Sequence, residues 1–184
     1  MNHDIISKNK TEANPASELS TEAFLSTCIS FLHDIGIETR FEKLNETCFL
    51  PGLSIQGGAI LIDTERLQYP GDILHEAGHV AVVPAAERAA LTAATIEKRQ
   101  RREAEEMMAI AWSYAACVHL NLDPYVVFHD EGYNGGGNYI ADCFSNKNYF
   151  GVPMLQWIGM TADEKKAMDL GVKPYPFMLK WICD

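Results

Sequence analysis

Apolar residues recur at two intervals along this chain, and each change of interval marks a change of predicted element. From Ser20 or Thr21, either of which can cap a helix, Phe24, Leu25, Cys28, Ile29, Phe31, Leu32 and Ile35 repeat at helical spacing as far as Gly36. Between Ile37 and Asp63 the interval shortens towards two. Thr47-Cys48-Phe49-Leu50, Leu53-Ser54-Ile55 and Ala59-Ile60-Leu61-Ile62 read as strands, separated by Pro51-Gly52 and Gln56-Gly57-Gly58. The last two runs predict a hairpin, and an exposed edge of its sheet could pair with an extended peptide. Residues 71–84 return to helical spacing, with Asp72 as the expected N-cap, Leu74, Ala77, Gly78 and Ala81 on close-packing positions and Pro84 as the stop. Residues 107–118 are apolar on nearly all sides and predict a central helix.

The remainder is less regular. Residues 1–17 are polar and predict a flexible arm before a single domain over 18–184. Tyr125-Val126-Val127-Phe128 reads as a strand or buried turn, and residues 129–139, with three consecutive glycines, as a loop that could act as a flap. No Lys and Ser or Thr follow those glycines, so they form no phosphate loop. A helix is expected over residues 154–160. Thr161-Ala162-Asp163-Glu164 reads as a capping box for another helix that Gly171 closes. A tail with Pro174, Pro176, Phe177 and Trp181 should dock through its aromatics.

Composition narrows the class of function. The chain has 184 residues, 47% of them hydrophobic, enough for one sizeable core. With 25 acidic against 15 basic residues the net charge is -10, which argues against nucleic acid as a partner. Basic residues do crowd between Arg88 and Arg102, but glutamates interleave there and a solvated face is the better reading. Five cysteines include no C-x-x-C pair and read as free thiols, and no 18-residue apolar stretch occurs; a cytoplasmic protein without a membrane span is expected.

The chemistry is concentrated in His75-Glu76-Ala77-Gly78-His79. Two histidines four residues apart stand one turn above the other on one helical face, so both imidazoles can meet one ion. Glu76 projects beside them, where it can polarise a water. Zinc suits such a site because two nitrogens and one further protein ligand leave a fourth position for water, whose pKa falls to about 7. At the entry to the apolar central helix stand two carboxylates that need partners. Glu106 shares a face with Ile110, Ser113 and Cys117, and Glu105 shares one with Ala109, Trp112 and Ala116; spacing leaves both open.

These residues resemble a family. A His-Glu-x-x-His helix, preceded by a Gly-Gly-x-Ile-x-Ile-type strand and followed 27 residues past the second histidine (79 to 106) by Glu106-Met107-Met108-Ala109 and an aromatic and alanine-rich helix, is similar to the ImmA/IrrE family of small metallopeptidase-like domains. The resemblance covers about residues 20–122. It implies an α+β, zincin-like (minimal gluzincin) domain, with a small sheet packed on the His helix and on a second ligand-bearing helix. It implies one Zn2+ per chain on His75, His79 and Glu106. The family's Leu-Leu-Met-Pro helix end is replaced here by Cys117-Val118-His119-Leu120-Asn121-Leu122-Asp123-Pro124.

The expected function is a zinc metallopeptidase acting on a peptide or protein, with Glu76 as general base; the alternative is a metal-stabilised regulatory or protein-binding domain without turnover. Downstream, His129, Tyr133 and Tyr139 could donate to an oxyanion, with His129 foremost. Asp130 or Asp142 could orient a ligand histidine through its other nitrogen.

Overall fold

The computed structural model describes residues 20–45 and 50–184. The expected arm at 1–17 and the Thr47-Cys48-Phe49 part of the first strand lie outside them. The described residues form a mixed α+β architecture of eight helices and one three-stranded sheet.

Helix α1 (Thr21–Asp34) starts where Ser20 accepts a hydrogen bond from the Ala23 amide at 3.2 Å, and it buries Phe24, Cys28, Phe31 and Leu32. Gly36 adopts φ +86° and lets the chain turn back, so that the Ile37 amide donates to Leu32 O at 2.8 Å. The sheet consists of β1 (Thr39–Phe41), β2 (Leu53–Gln56) and β3 (Ala59–Ile62), in the order β1-β3-β2. The predicted hairpin is present: β2 and β3 pair antiparallel with Gln56 opposite Ala59, through Gly57 and Gly58 at φ +63° and +76°. All four β3 residues are buried, as befits the centre of the sheet, and β1 runs parallel to β3. The outer side of β2 bridges Thr92 from Gln56.

Helix α2 (Asp72–Ala81) packs on this sheet and on α5 (Arg102–Leu120), the central helix. The α2–α5 crossing is set by Gly78. A Cβ there would lie 2.8 Å from Ala109 O, so only glycine lets the two backbones approach this closely. Ser113 then ties the pair, its hydroxyl donating to Ala109 O at 2.7 Å and reaching Leu74 O at 3.3 Å. Between them lie the short helices α3 (Ala85–Arg88) and α4 (Ala93–Ile96).

The C-terminal third departs from the sequence reading or narrows it in four places. Residues 129–139 are not all loop: α6 runs Gly137–Ser145, and Gly137 opens it because a Cβ there would lie 2.1 Å from His129 O. Of the two readings of Tyr125-Val126-Val127-Phe128 the strand is excluded: a 3₁₀ turn covers Pro124–Val126, fixed by Asp123 accepting from the Tyr125 amide at 3.1 Å, and Val127 and Phe128 follow it buried. The helix expected over 154–160 is α7, shifted to Val152–Trp157. Helix α8 (Glu164–Leu170) does end at Gly171, but its cap is Asp163, which accepts from the Lys166 amide at 2.8 Å. Thr161 is engaged elsewhere, donating to Phe177 O at 2.7 Å.

The tail docks as expected. Trp112 Nε1 donates to Trp181 O at 2.9 Å, Tyr175 Oη to Ala111 O at 2.8 Å, and the Cys183 amide to Ala81 O at 2.8 Å, where α2 ends. Cys28, Cys117, Cys143 and Cys183 carry free thiols, and burial pushes that of Cys28 up to about 12. No described helix is long and apolar enough to cross a membrane.

Candidate metal centre

Asp72 is the first residue of α2, not its cap: Gly71 holds that position without a side-chain bond. The reason is steric. A Cβ on Gly71 would lie 1.8 Å from Val126 O, so the 3₁₀ turn sits directly on the helix start and the Asp72 carboxylate turns to other work. One turn later come His75 and Glu76, and one turn beyond those His79.

On α5, the face that carries Ser113 looks towards α2, and Glu106 is on that face. His75 Nε2 stands 3.2 Å from His79 Nε2, 3.5 Å from Glu106 Oε1, and His79 Nε2 stands 3.4 Å from Glu106 Oε2. These three side chains form a group that could hold a metal ion. One ligand atom from each lies within 4.8 Å of the others, and each histidine nitrogen approaches a different oxygen of the Glu106 carboxylate, close enough for the three to converge on one ion. As a hydrogen-bonded cluster the group is poorly satisfied. Only one proton fits between the two nitrogens, and the carboxylate contacts of 3.4 and 3.5 Å are long for hydrogen bonds. As a ligand set every atom has a use.

The neighbouring glutamate has a different fate. Glu105 stands about 100° further round the helix, where both its oxygens take Arg99, Nε at 2.6 Å and Nη2 at 2.9 Å; Arg99 also holds Glu87 at 2.7 Å. The choice that spacing left open falls on Glu106 because it shares the Ser113 face towards α2, while Glu105 is engaged by Arg99, a residue in an irregular stretch with no periodic signal.

The electrostatics suit a cation. Burial, with His79 beside it, holds the His75 imidazole well below its ordinary pKa. Burial and then the Arg102 charge bring His79 down to about 4, so both rings are neutral and free to donate a lone pair. Glu76 is pushed up to about 8, first by burial and then by Asp72 and Glu106. A dication held by the three side chains would act in the opposite sense and favour the ionised carboxylate. His75 Nδ1 is buried and has no partner among the described residues, where ligand histidines usually donate to a carboxylate or carbonyl.

The downstream candidates divide clearly. His129 Nε2 meets Asp72 Oδ1 at 3.0 Å, and its ring stacks on Tyr69 with centroids 4.0 Å apart. Tyr133 packs edge-on against the His75 ring at 5.3 Å, and its hydroxyl is buried without a partner among the described residues. Burial, then Glu106, Asp72 and Glu76, hold that phenol well above its ordinary pKa, so it is a hydrogen-bond donor. Tyr139 is 73% exposed and belongs to the surface. The two aspartates expected to orient a histidine do not: Asp142 accepts from Tyr125 and Asp130 from Asn138. The aspartate that does hold a histidine is Asp72, on His129. Its signal was present in the sequence as Asp72-x-x-His75-Glu76, which places it on the face of the site.

Tyr133 and Asn134 have φ of +55° and +56°, and the Gly135 amide donates to Gly132 O at 3.0 Å. Left-handed backbone costs a non-glycine residue roughly 1–2 kcal/mol, so this turn persists because its surroundings impose it. A cavity of about 670 Å³ lined by His119, Tyr149, Tyr175 and Trp181 lies at the other end of α5 and touches none of these residues. No family model matches the chain, and no curated protein or solved structure matches it.

Proposed function

We propose that this chain is a zinc-dependent peptidase with a zincin-like fold, acting on a peptide or protein substrate. The observation that carries the proposal is the spacing of 3.2, 3.4 and 3.5 Å among His75, His79 and Glu106, with Glu76 next to them on the same helix. The ImmA/IrrE resemblance of residues 20–122 points to the same reading. Two imidazoles and a carboxylate serve zinc and iron(II) alike, and Glu76 beside the ligands in a His-Glu-x-x-His helix is what favours zinc. When bound, zinc acidifies a water and polarises a carbonyl.

The chain's own residues divide the remaining work. His75 and His79 offer Nε2, and Glu106 offers a carboxylate oxygen. Glu76 takes the proton of the attacking water and returns it to the leaving amine. The Tyr133 hydroxyl, buried and unengaged, donates to the carbonyl oxygen as negative charge develops there. His129, committed to Asp72, supports the segment that brings Tyr133 in.

The alternative, a metal-stabilised binding domain, draws on one observation. The His75 and His79 side chains are only 13% and 10% exposed, although Glu106 is 39% exposed and keeps one side open. Glu76→Gln separates the two readings, because glutamine keeps the shape but cannot accept a proton. Zinc content by elemental analysis should stay near one equivalent, while cleavage of a peptide library, read by mass spectrometry, should fall about 10²-fold or more. Undiminished cleavage would reject Glu76 as base, and a zinc-loaded wild type that cleaves nothing would favour the binding domain.

A further inference from the structure

Asp72 is an unusual first residue for a helix. A carboxylate at that position normally faces water and the helix N-terminus, whereas the Asp72 side chain is 13% exposed and is directed at His129 Nε2, 57 positions away, at 3.0 Å. A buried carboxylate needs such a partner, and burial raises its pKa despite His129. What the contact secures is the segment between Phe128 and Gly137. That segment is glycine-rich, contains the left-handed Tyr133 and Asn134, and exposes Asn134 and Gly135 to solvent. Left to itself such a sequence samples many conformations.

Three features hold it over the ligand histidines. Phe128 is fully buried, the His129 ring lies between Tyr69 and Asp72, and Gly132 follows so closely that a Cβ there would lie 3.3 Å from His129 Cε1. With His129 fixed, the next side chain to turn inward is Tyr133, against His75 and Phe128. Its hydroxyl is left with no protein partner in a buried place, an arrangement that makes sense if a ligand atom supplies one.

We propose that Asp72 is a positioning residue: by holding His129 it seats residues 129–136 so that the Tyr133 hydroxyl faces the metal group. The catalytic use of that hydroxyl rests on the peptidase reading above; the seating itself does not.

The amides of Gly132, Gly135 and Gly136 all donate within the segment, so hydrogen exchange reports on it directly. In the zinc-loaded full chain, Asp72→Ala should raise exchange at these amides about 10-fold or more and leave the α5 amides unchanged. Asp72→Asn, which keeps an acceptor oxygen, should restore most of the protection. Zinc affinity, by chelator competition, should stay within about threefold in both, since no ligand is touched. For cleavage, Asp72→Ala and Tyr133→Phe should each lower kcat more than they raise KM, and the double variant should be no worse than Tyr133→Phe alone, the mark of two residues acting through one group. Should Asp72→Ala fail to fold, His129→Gln carries the same exchange test. Unchanged exchange overturns the seating role, and independent, multiplying losses in kcat overturn the link to Tyr133. A zinc-loaded wild type without cleavage overturns the peptidase reading and the use of Tyr133 in it; the exchange result still decides whether Asp72 seats the segment.

Discussion

The α2–α5 pair and the segment from Asp123 to Ser145 meet where Tyr133 packs on His75, yet they are built on opposite principles. The helices owe their position to regular repetition: small residues at Gly78 and Ala109 bring two backbones together, and the ligands follow from helical periodicity. The covering segment owes its position to individual contacts, among them Gly71 against Val126, His129 against Asp72 and Gly137 against His129 O. Regular packing fixes where a metal would sit. Particular contacts fix what would lie above it.

This contrast can be broken most severely at Glu106. Glu106→Ala should lower zinc affinity on the order of 10³-fold, beyond the 10–100-fold typical of outer contacts, whereas Glu105→Ala should leave affinity intact. The latter instead releases Arg99 from its pair and should cost about 2 kcal/mol in denaturant unfolding, moderated because Arg99 keeps Glu87. Zinc retained equally in both variants would place the third ligand elsewhere.

A second comparison sets the two kinds of glycine against each other. Gly78→Val forces a side chain against Ala109 O and should cost about 1–3 kcal/mol or more, with weaker zinc binding because both histidines shift relative to Glu106. Gly135→Ala meets no atom within 4 Å and is strained only by φ +82°, so it should cost roughly 1–2 kcal/mol and leave zinc binding alone. Thermal unfolding with and without zinc distinguishes them. Similar metal affinities in both would mean that the helix crossing does not set the site.

The most gradual effect is in pH, and it belongs to the helix pair alone. Glu76 holds its proton up to about 8 in the folded chain but releases it near 4.5 when unfolded. Its contribution is therefore complete below pH 4.5 and is lost as pH rises towards 8. His75 and His79 run the other way, refusing protons that the unfolded chain binds below 6.5, so they destabilise only on the acid side. Zinc-stripped protein should thus lose stability between pH 6.5 and 8 with a slope of at most about 1.4 kcal/mol per unit. Glu76→Gln should flatten that limb. A limb that survives the substitution would trace to another group.

Much of the scaffold was legible because it repeats. Helix α1 with its Ser20 cap, the Gly57-Gly58 hairpin, the His helix and the apolar length of α5 each follow from periodicity and its interruption. The His-Glu-x-x-His set could be read because one helix carries it. Legibility stopped where a residue's role depends on a partner far along the chain. Glu106 lies on the Ser113 face towards α2 while Arg99 draws Glu105 away, and Asp72 reads as a cap in the sequence because its partner His129 lies 57 positions further on. Helix α6 was hidden by its own start, since Gly135-Gly136-Gly137 carries the composition of a loop while Gly137 serves a close backbone approach. Thr161 reads as a cap in the sequence because its acceptor, Phe177 O, lies 16 positions away.

The docked tail has a kinetic meaning. Trp181 O receives the Trp112 indole across 69 positions and Ala111 O receives Tyr175 across 64, while Cys183 closes on Ala81. The ligand-bearing helices are therefore bracketed by some of the most non-local contacts in the chain, and contacts of high order are late to form because a long loop must close first. A nascent chain that has just completed α5 already contains His75, Glu76, His79 and Glu106, but not the tail that docks against their helices. Maturation of the site thus waits on the arrival of a segment that contributes no ligand to it.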